Sequence, residues 1–256
     1  GTQPPLFMVH PPGGIVLCYR ELARHLPADQ PLWAIRSRGL HGQEAMPNSL
    51  SEMAADYLQA IQSVQPEGPY IVGGWSLGGL VAYEMARQLL LQGQPVDRMV
   101  FLDSTIPEGA ASSVPVAEQV NVGLEYGIDL TLDQLGDLSA EQQLPMLYEH
   151  AGRLGILSEQ SSPEIVERVL QDLQHLFGHH VRLCRAYRLE PISAKLLLIR
   201  PQEVPYSLNV TEDRGWRHLV SDVRVRFVPG HHHSMVQASH AQQLAEVIAE
   251  ELNKRT

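Results

Sequence analysis

Hydrophobic positions fall into short blocks along the chain. LFMVH (6–10), PLWAIRS (31–37), YIVGG (70–74), RMVFLDS (98–104), KLLLIRP (195–201) and VRVRFVP (223–229) are brief apolar runs. The richest are nearly continuous rather than alternating, as strands buried on both faces of a parallel sheet require. VRVRFV alternates, which places it nearer an edge. Between the runs the period lengthens to that of a helix, in IVLCYRELARHL (15–26), SLSEMAADYLQAIQSV (49–64), LGGLVAYEMARQLLLQG (77–93) and VQASHAQQLAEVIAEEL (236–252). Ser49 and Glu52 stand at capping-box spacing. Gly93 is placed to end the third helix. Strand–helix alternation predicts an α/β architecture, a mostly parallel sheet with right-handed crossovers and helices on both faces.

The rhythm breaks from about 107 to 190. No strand-like run occurs there, and helical periodicity shows in LSAEQQLPMLYEHAGRLGIL and PEIVERVLQDLQHLFGHHVRLCRAY, joined by SEQSS (158–162). The reading is a helical insertion between two core strands. It interrupts the sheet where ligands bind in open α/β folds, so it is expected to act as a mobile lid. Leu144, Met146, Leu147, Leu154 and Ile156 would line the space beneath it or pack on the core.

The 256 residues suit one large α/β domain or two small ones. The net charge is −10, and basic residues form no runs, which argues against nucleic acid as a partner. There is no 18-residue apolar run and no charged start leading into one, so no membrane partner is expected. Two cysteines, Cys18 and Cys184, fit a reducing cytosol, and a cytoplasmic location is expected. The opening GTQPPLFMVH reads like the start of a piece cut from a longer chain.

One stretch carries candidate chemistry. Gly74-Trp75-Ser76-Leu77-Gly78 matches G-x-S-x-G, with an apolar strand before it and an apolar-periodic helix after it. A turn that tight leaves no room for side chains two before and two after the serine. Ser76 would project from the strand end into a cleft, beside the free N–H groups of a helix N-terminus. The plain alternative is a serine N-cap without chemistry.

A serine hydroxyl needs a base, and the base an orienting acid. Asp103 ends the run VFLD, one crossover after Ser76, and would return beside it. Glu203 and Asp213 compete as acids. PGHHHSM (229–235) supplies three histidines, His231, His232 and His233, of which only one can face Ser76. Three adjacent histidines do not converge easily on one ion, so no metal is expected. The order Ser, Asp, His is that of α/β-hydrolases. HPPGG (10–14) follows the first strand, where such enzymes place part of the oxyanion hole. Pro11 and Pro12 have no N–H to give. Gly13 does, and Leu77 would supply the second donor.

These segments together resemble the type I thioesterase domains of non-ribosomal peptide and polyketide synthetases. HPPGG with LCYRELARHL, and PEGPYIVGGWSLGGLVAYEMARQL, are similar to the family's first loop and nucleophile segment. VFLDS resembles its acid segment, and GWRHLVSDVRVRFVPGHHHSM its closing pattern. On that closing pattern the base is His232, and the acid position matches Asp103. The resemblance implies a single α/β-hydrolase domain over 1–256 with a lid at about 107–190. It also implies a carrier domain, in the same chain, presenting an acyl or peptidyl group as a 4'-phosphopantetheine thioester. Ser76 would take the acyl group, and water or an internal nucleophile would release an acid or a macrocycle. No cofactor of its own is expected. A stand-alone editing thioesterase, a generic carboxylesterase and a catalytically dead binding module are the competing readings.

Overall fold

A computed structural model describes residues 1–39, 44–106, 162–203 and 211–254. In chain order the elements are β1 (Leu6–Val9), α1 (Arg20–His25), β2 (Leu32–Ile35), α2 (Leu50–Val64), β3 (Tyr70–Trp75), α3 (Leu77–Leu91), β4 (Val96–Leu102), α4 (Pro163–Ala186), β5 (Ile192–Pro201), β6 (Val220–Val228) and α5 (Ala241–Asn253). The strands form one six-stranded sheet in the order β2-β1-β3-β4-β5-β6. Every pairing among the described residues is parallel.

The continuous apolar runs are explained by burial on both faces. Phe7, Val9, Tyr70, Val72, Met99, Phe101, Leu196 and Leu198 point into a core closed by α2 and α3. Their neighbours Leu6, Met8, Ile71, Val100, Leu102, Leu197 and Ile199 point into a second core closed by α1 and α5. A period-two strand between two such layers must be apolar at every position. β6 is an edge, as its alternation predicts. β2 is the other edge, and there the apolar run misleads: Trp33 is 49% exposed.

Two helices begin later than their periodicity suggests. Residues 17–19 make a 3₁₀ turn before α1, because the chain is still leaving the Pro-Gly loop, where Gly14 takes φ 81° and its carbonyl accepts from Ser37 N–H. α5 starts at Ala241 rather than 236. Met235 and Val236 are buried in another 3₁₀ turn at the sheet's end, and Ala241 N–H closes onto Gln237 O. The other boundaries follow local chemistry. Ser49 Oγ accepts from Glu52 N–H at 3.0 Å, while Glu52 reaches back to Asn48 N–H rather than to Ser49. Gly93, at φ 72°, ends α3 with Gln94 N–H donating to Leu89 O.

Of the expected lid, residues 107–161, including Leu144, Met146, Leu147, Leu154 and Ile156, lie outside the described residues. The remainder is helix α4, whose last turns join the α2/α3 core through Cys184. Tyr187 then hydrogen-bonds buried Glu84 of α3, which also holds Arg87 and Gln88. Cys18 and Cys184 are not joined in a disulfide.

Candidate active site

The chain runs from β1 out to the edge strand β2 and returns to β3 on the opposite side of β1. That reversal opens a crevice at the carboxyl ends of β1 and β3, where ligands bind in open α/β sheets. HPPGG follows β1 and Ser76 follows β3. Tyr19 ties the two strand ends together: its hydroxyl donates to Val9 O at 2.6 Å and accepts from Trp75 N–H at 2.8 Å.

Ser76 has φ 56° and ψ −124°, a conformation L-residues rarely adopt. Its N–H is fixed to Leu102 O of β4 at 2.9 Å. The flanking glycines are steric necessities. A Cβ on Gly74 would lie 2.3 Å from the Gly78 carbonyl carbon, and one on Gly78 would lie 2.6 Å from Val9 O. So Gly74 makes room for the turn itself, and Gly78 lets the new helix press against the end of β1. Leu77 is the first residue of α3, where backbone N–H groups have no partner within the helix.

Asp103 follows β4 directly, also at positive φ (47°), with its N–H on Ile199 O. Oδ2 accepts from His232 Nδ1 at 2.7 Å. Among the described residues neither Glu203 nor Asp213 bonds to a histidine side chain. Glu203 is exposed, and its backbone N–H donates to Gly230 O at the start of the histidine turn. Asp213 accepts from Arg217 N–H and steadies the turn before Trp216.

The histidines sit in a turn. Gly230 at φ 87° and the Ser234 hydroxyl, which accepts from His231 N–H, bend the chain there. The three rings diverge. His231 is exposed. His232 stacks on Trp75 with centroids 5.3 Å apart, beside the serine turn. His233 packs edge-on against Trp75, and burial, with His232 and His231 nearby, pushes its pKa down to about 3.

Sequence reasoning missed the second partner of the acid. Arg214 Nη2 lies 2.6 Å from Asp103 Oδ1, an ion pair off the angle of an aligned hydrogen bond, with both side chains buried. A turn of two left-handed residues, Arg214 (φ 50°) and Gly215 (φ 83°), brings the guanidinium there. Buried Arg200 holds that turn by donating to Glu212 O at 2.8 Å. Trp216, fully buried, donates from Nε1 to Ser104 O and fixes the segment after the acid. No local motif signals Arg214, since its partner lies on a distant strand. A cavity of about 450 Å³ between α2, α3 and α4, lined by Asn48, Arg87, Tyr187 and Glu190, contains none of Ser76, Asp103 or His232, and has no part in this site. No cluster suited to a metal ion occurs among the described residues.

A parallel sheet with a strained serine at its switch point, followed in sequence by strand-end acid and loop histidine, has the architecture of the α/β-hydrolase class. Within that class the chain belongs to the thioesterase domain family, whose model matches residues 4–252. It is 31% identical over 264 residues to a dimodular nonribosomal peptide synthase of Bacillus subtilis (strain 168), covering 99% of this chain and 11% of that protein. It is similar to a crystal structure of a four-domain nonribosomal peptide synthetase bound to AMP and glycine, with TM-score 0.79 and 31% identity over 98% of this chain and 20% of the other. It is also similar to the NocB thioesterase domain of the nocardicin cluster in covalent complex with a fluorophosphonate nocardicin G analogue. There the TM-score is 0.71, with 27% identity over 98% of this chain and 95% of the other. The chain spans about a tenth or less of the length of the curated synthetases it matches. Among the described residues no helix is long and apolar enough to cross a membrane.

Proposed function

We propose that this domain releases an acyl or peptidyl chain from a carrier-bound phosphopantetheine thioester through an acyl-enzyme on Ser76. In this reading Ser76 Oγ attacks the thioester carbonyl and His232 takes its proton. Asp103 holds His232 with Nδ1 protonated, leaving Nε2 as the base. The carbonyl oxygen becomes an anion, met by the N–H groups of Gly13 and Leu77. Collapse expels the thiolate, which takes the proton from His232. A second nucleophile, water or a group within the acyl chain, then repeats the sequence and frees Ser76. Gly13 lies in the loop after β1 and Leu77 opens α3 after the neighbouring strand β3, which supports this pairing, and a glycine permits close approach.

The observation that carries this reading is the Asp103–His232 hydrogen bond, set beside a serine whose backbone is held in the strained elbow conformation. The carrier domain as partner, in the same chain, is supported by the multidomain synthetases to which the chain is similar. The domain itself is proposed as one unit over 1–256, with the insertion as its lid. The lid would exclude water and so favour a tethered nucleophile over hydrolysis.

The test compares one acyl group presented on a carrier domain and as a simple oxygen ester. Release from the carrier should be faster by at least an order of magnitude in kcat/KM, and intact-mass analysis of the product separates acid from macrocycle. Equal or faster turnover of the oxygen ester would make the protein a carboxylesterase.

A further inference from the structure

The Pro11-Pro12 pair puts two successive carbonyls in the loop after β1, and the first, Pro11 O, accepts from Gly14 N–H at 2.9 Å. Each is met by an imidazole. His10 Nδ1 lies 2.7 Å from Pro11 O, and His180 Nδ1, arriving from helix α4, lies 2.5 Å from Pro12 O. A carbonyl only accepts, so both Nδ1 atoms carry a proton. Each Nε2 faces a hydroxyl, Tyr57 at 2.6 Å for His10 and Ser37 at 3.0 Å for His180. The Ser37 hydroxyl has a second acceptor in Arg38 O at 2.7 Å. The two rings stack with centroids 4.8 Å apart and are fully buried. Helix α4 presses on the same loop elsewhere: a Cβ on Gly14 would lie 2.8 Å from Leu176.

The peptide joining Pro12 to Gly13 is trans, so its C=O and N–H lie in one plane and point opposite ways. Whatever holds the Pro12 carbonyl therefore aims the Gly13 N–H. We propose that His180 is a positioning residue for acyl transfer: by donating to Pro12 O from the lid-side helix, it turns the Gly13 N–H toward the oxyanion. The inference rests on Gly13 as an oxyanion donor. It adds a link between α4 and the chemistry, because a shift of α4 that withdraws His180 would free this peptide to rotate.

The experiment is the rate at which a fluorophosphonate labels Ser76. Ser76 Oγ bonds to phosphorus, fluoride leaves, the serine proton passes to His232, and the phosphonyl oxygen occupies the oxyanion site. His180→Phe fills the space and donates nothing. It should label about 10²-fold more slowly, the order seen on losing an oxyanion donor. It should still reach one label per chain. His180→Asn, which keeps a donor, should recover much of the rate. Ser37→Ala, which leaves the Pro12 contact intact, should label within about threefold of wild type, well short of the loss from an oxyanion donor. If the phenylalanine variant does not fold, His180→Ala against His180→Asn gives the same contrast. Wild-type rates in His180→Phe, an asparagine variant as slow as the variant without a donor, or an equal loss in Ser37→Ala would each overturn the proposal. A wild type that takes no label at Ser76 would sink the acyl-enzyme reading itself, and this inference with it.

Discussion

His232 and the His10–His180 pair sit at the same end of the same sheet, in opposite surroundings. His232 is 31% exposed at the side chain and shares its Nδ1 proton with a carboxylate. His10 and His180 are fully enclosed, and their Nδ1 protons go to neutral carbonyls. Burial pushes His10 down to about 3, with His180 adding to the shift, and burial pushes His180 down to about 4. The first environment sets a carboxylate beside the ring that the proposed mechanism turns into an imidazolium. The second forbids one and leaves a fixed N–H donor. In the proposed mechanism one residue type is thus a proton carrier in one place and a strut in the other, according to whether its partner bears charge.

Exchanging the charged partner for a neutral one should break the contrast most severely. Asp103→Asn leaves His232 with a partner that can present the wrong hydrogen, so turnover should fall about 10⁴-fold, as in serine triads generally. Arg214→Met disturbs the same acid from its other oxygen. It should lower kcat about tenfold to a hundredfold with little change in KM, the order seen when outer partners of functional groups are removed. It should also destabilise the fold by about 3 kcal/mol in urea, since a buried carboxylate loses its ion-pair partner. A variant as active and stable as wild type would show the ion pair to be incidental.

Acid should act on the enclosed histidines through stability. Folding depresses the pKa of His10, His180 and His233, so below about pH 6.5 the unfolded chain binds more protons than the folded one. Stability that is full above that pH is lost progressively as pH falls toward about 4 and then 3. Between pH 6.5 and 5 each histidine removes up to about 2 kcal/mol. Urea midpoints at pH 7.5 and 5.0 should differ accordingly, and less in His180→Asn. Identical midpoints would mean that these rings are not held neutral. The smallest effects are expected at the rejected acids. Glu203→Gln and Asp213→Asn should each change turnover by less than about threefold, within what surface substitutions usually do. A loss matching Asp103→Asn would move the acid to the later strand.

The strands were legible because two-sided burial writes itself into every position of β1 and β3 and into the later positions of β4 and β5. The serine turn was legible because the backbone collision at Gly74 and Gly78 imposes a fixed spacing. β2 misled because an edge strand can be as apolar as a central one, and the run says nothing of its neighbours. Arg214 and His180 were not legible at all. Each meets its partners across the fold, Arg214 at Asp103 and His180 at Pro12 and Ser37, and such long-range contacts leave no periodic trace in sequence. The assignment of His232 among three adjacent histidines came from resemblance. The structure gives the physical reason: the turn at Gly230 sends each ring a different way, and His232 is the one that meets Asp103.

The central claim is that the chain passes through Ser76 as an ester. It is tested most directly by mixing the domain with an acyl-loaded carrier, quenching within the first turnover and taking the intact mass. Wild type should gain the mass of the acyl group, mapped to the peptide that holds Ser76, and Ser76→Ala should gain none and release nothing above background. Undiminished release by Ser76→Ala, or an adduct on any other residue, would contradict the account.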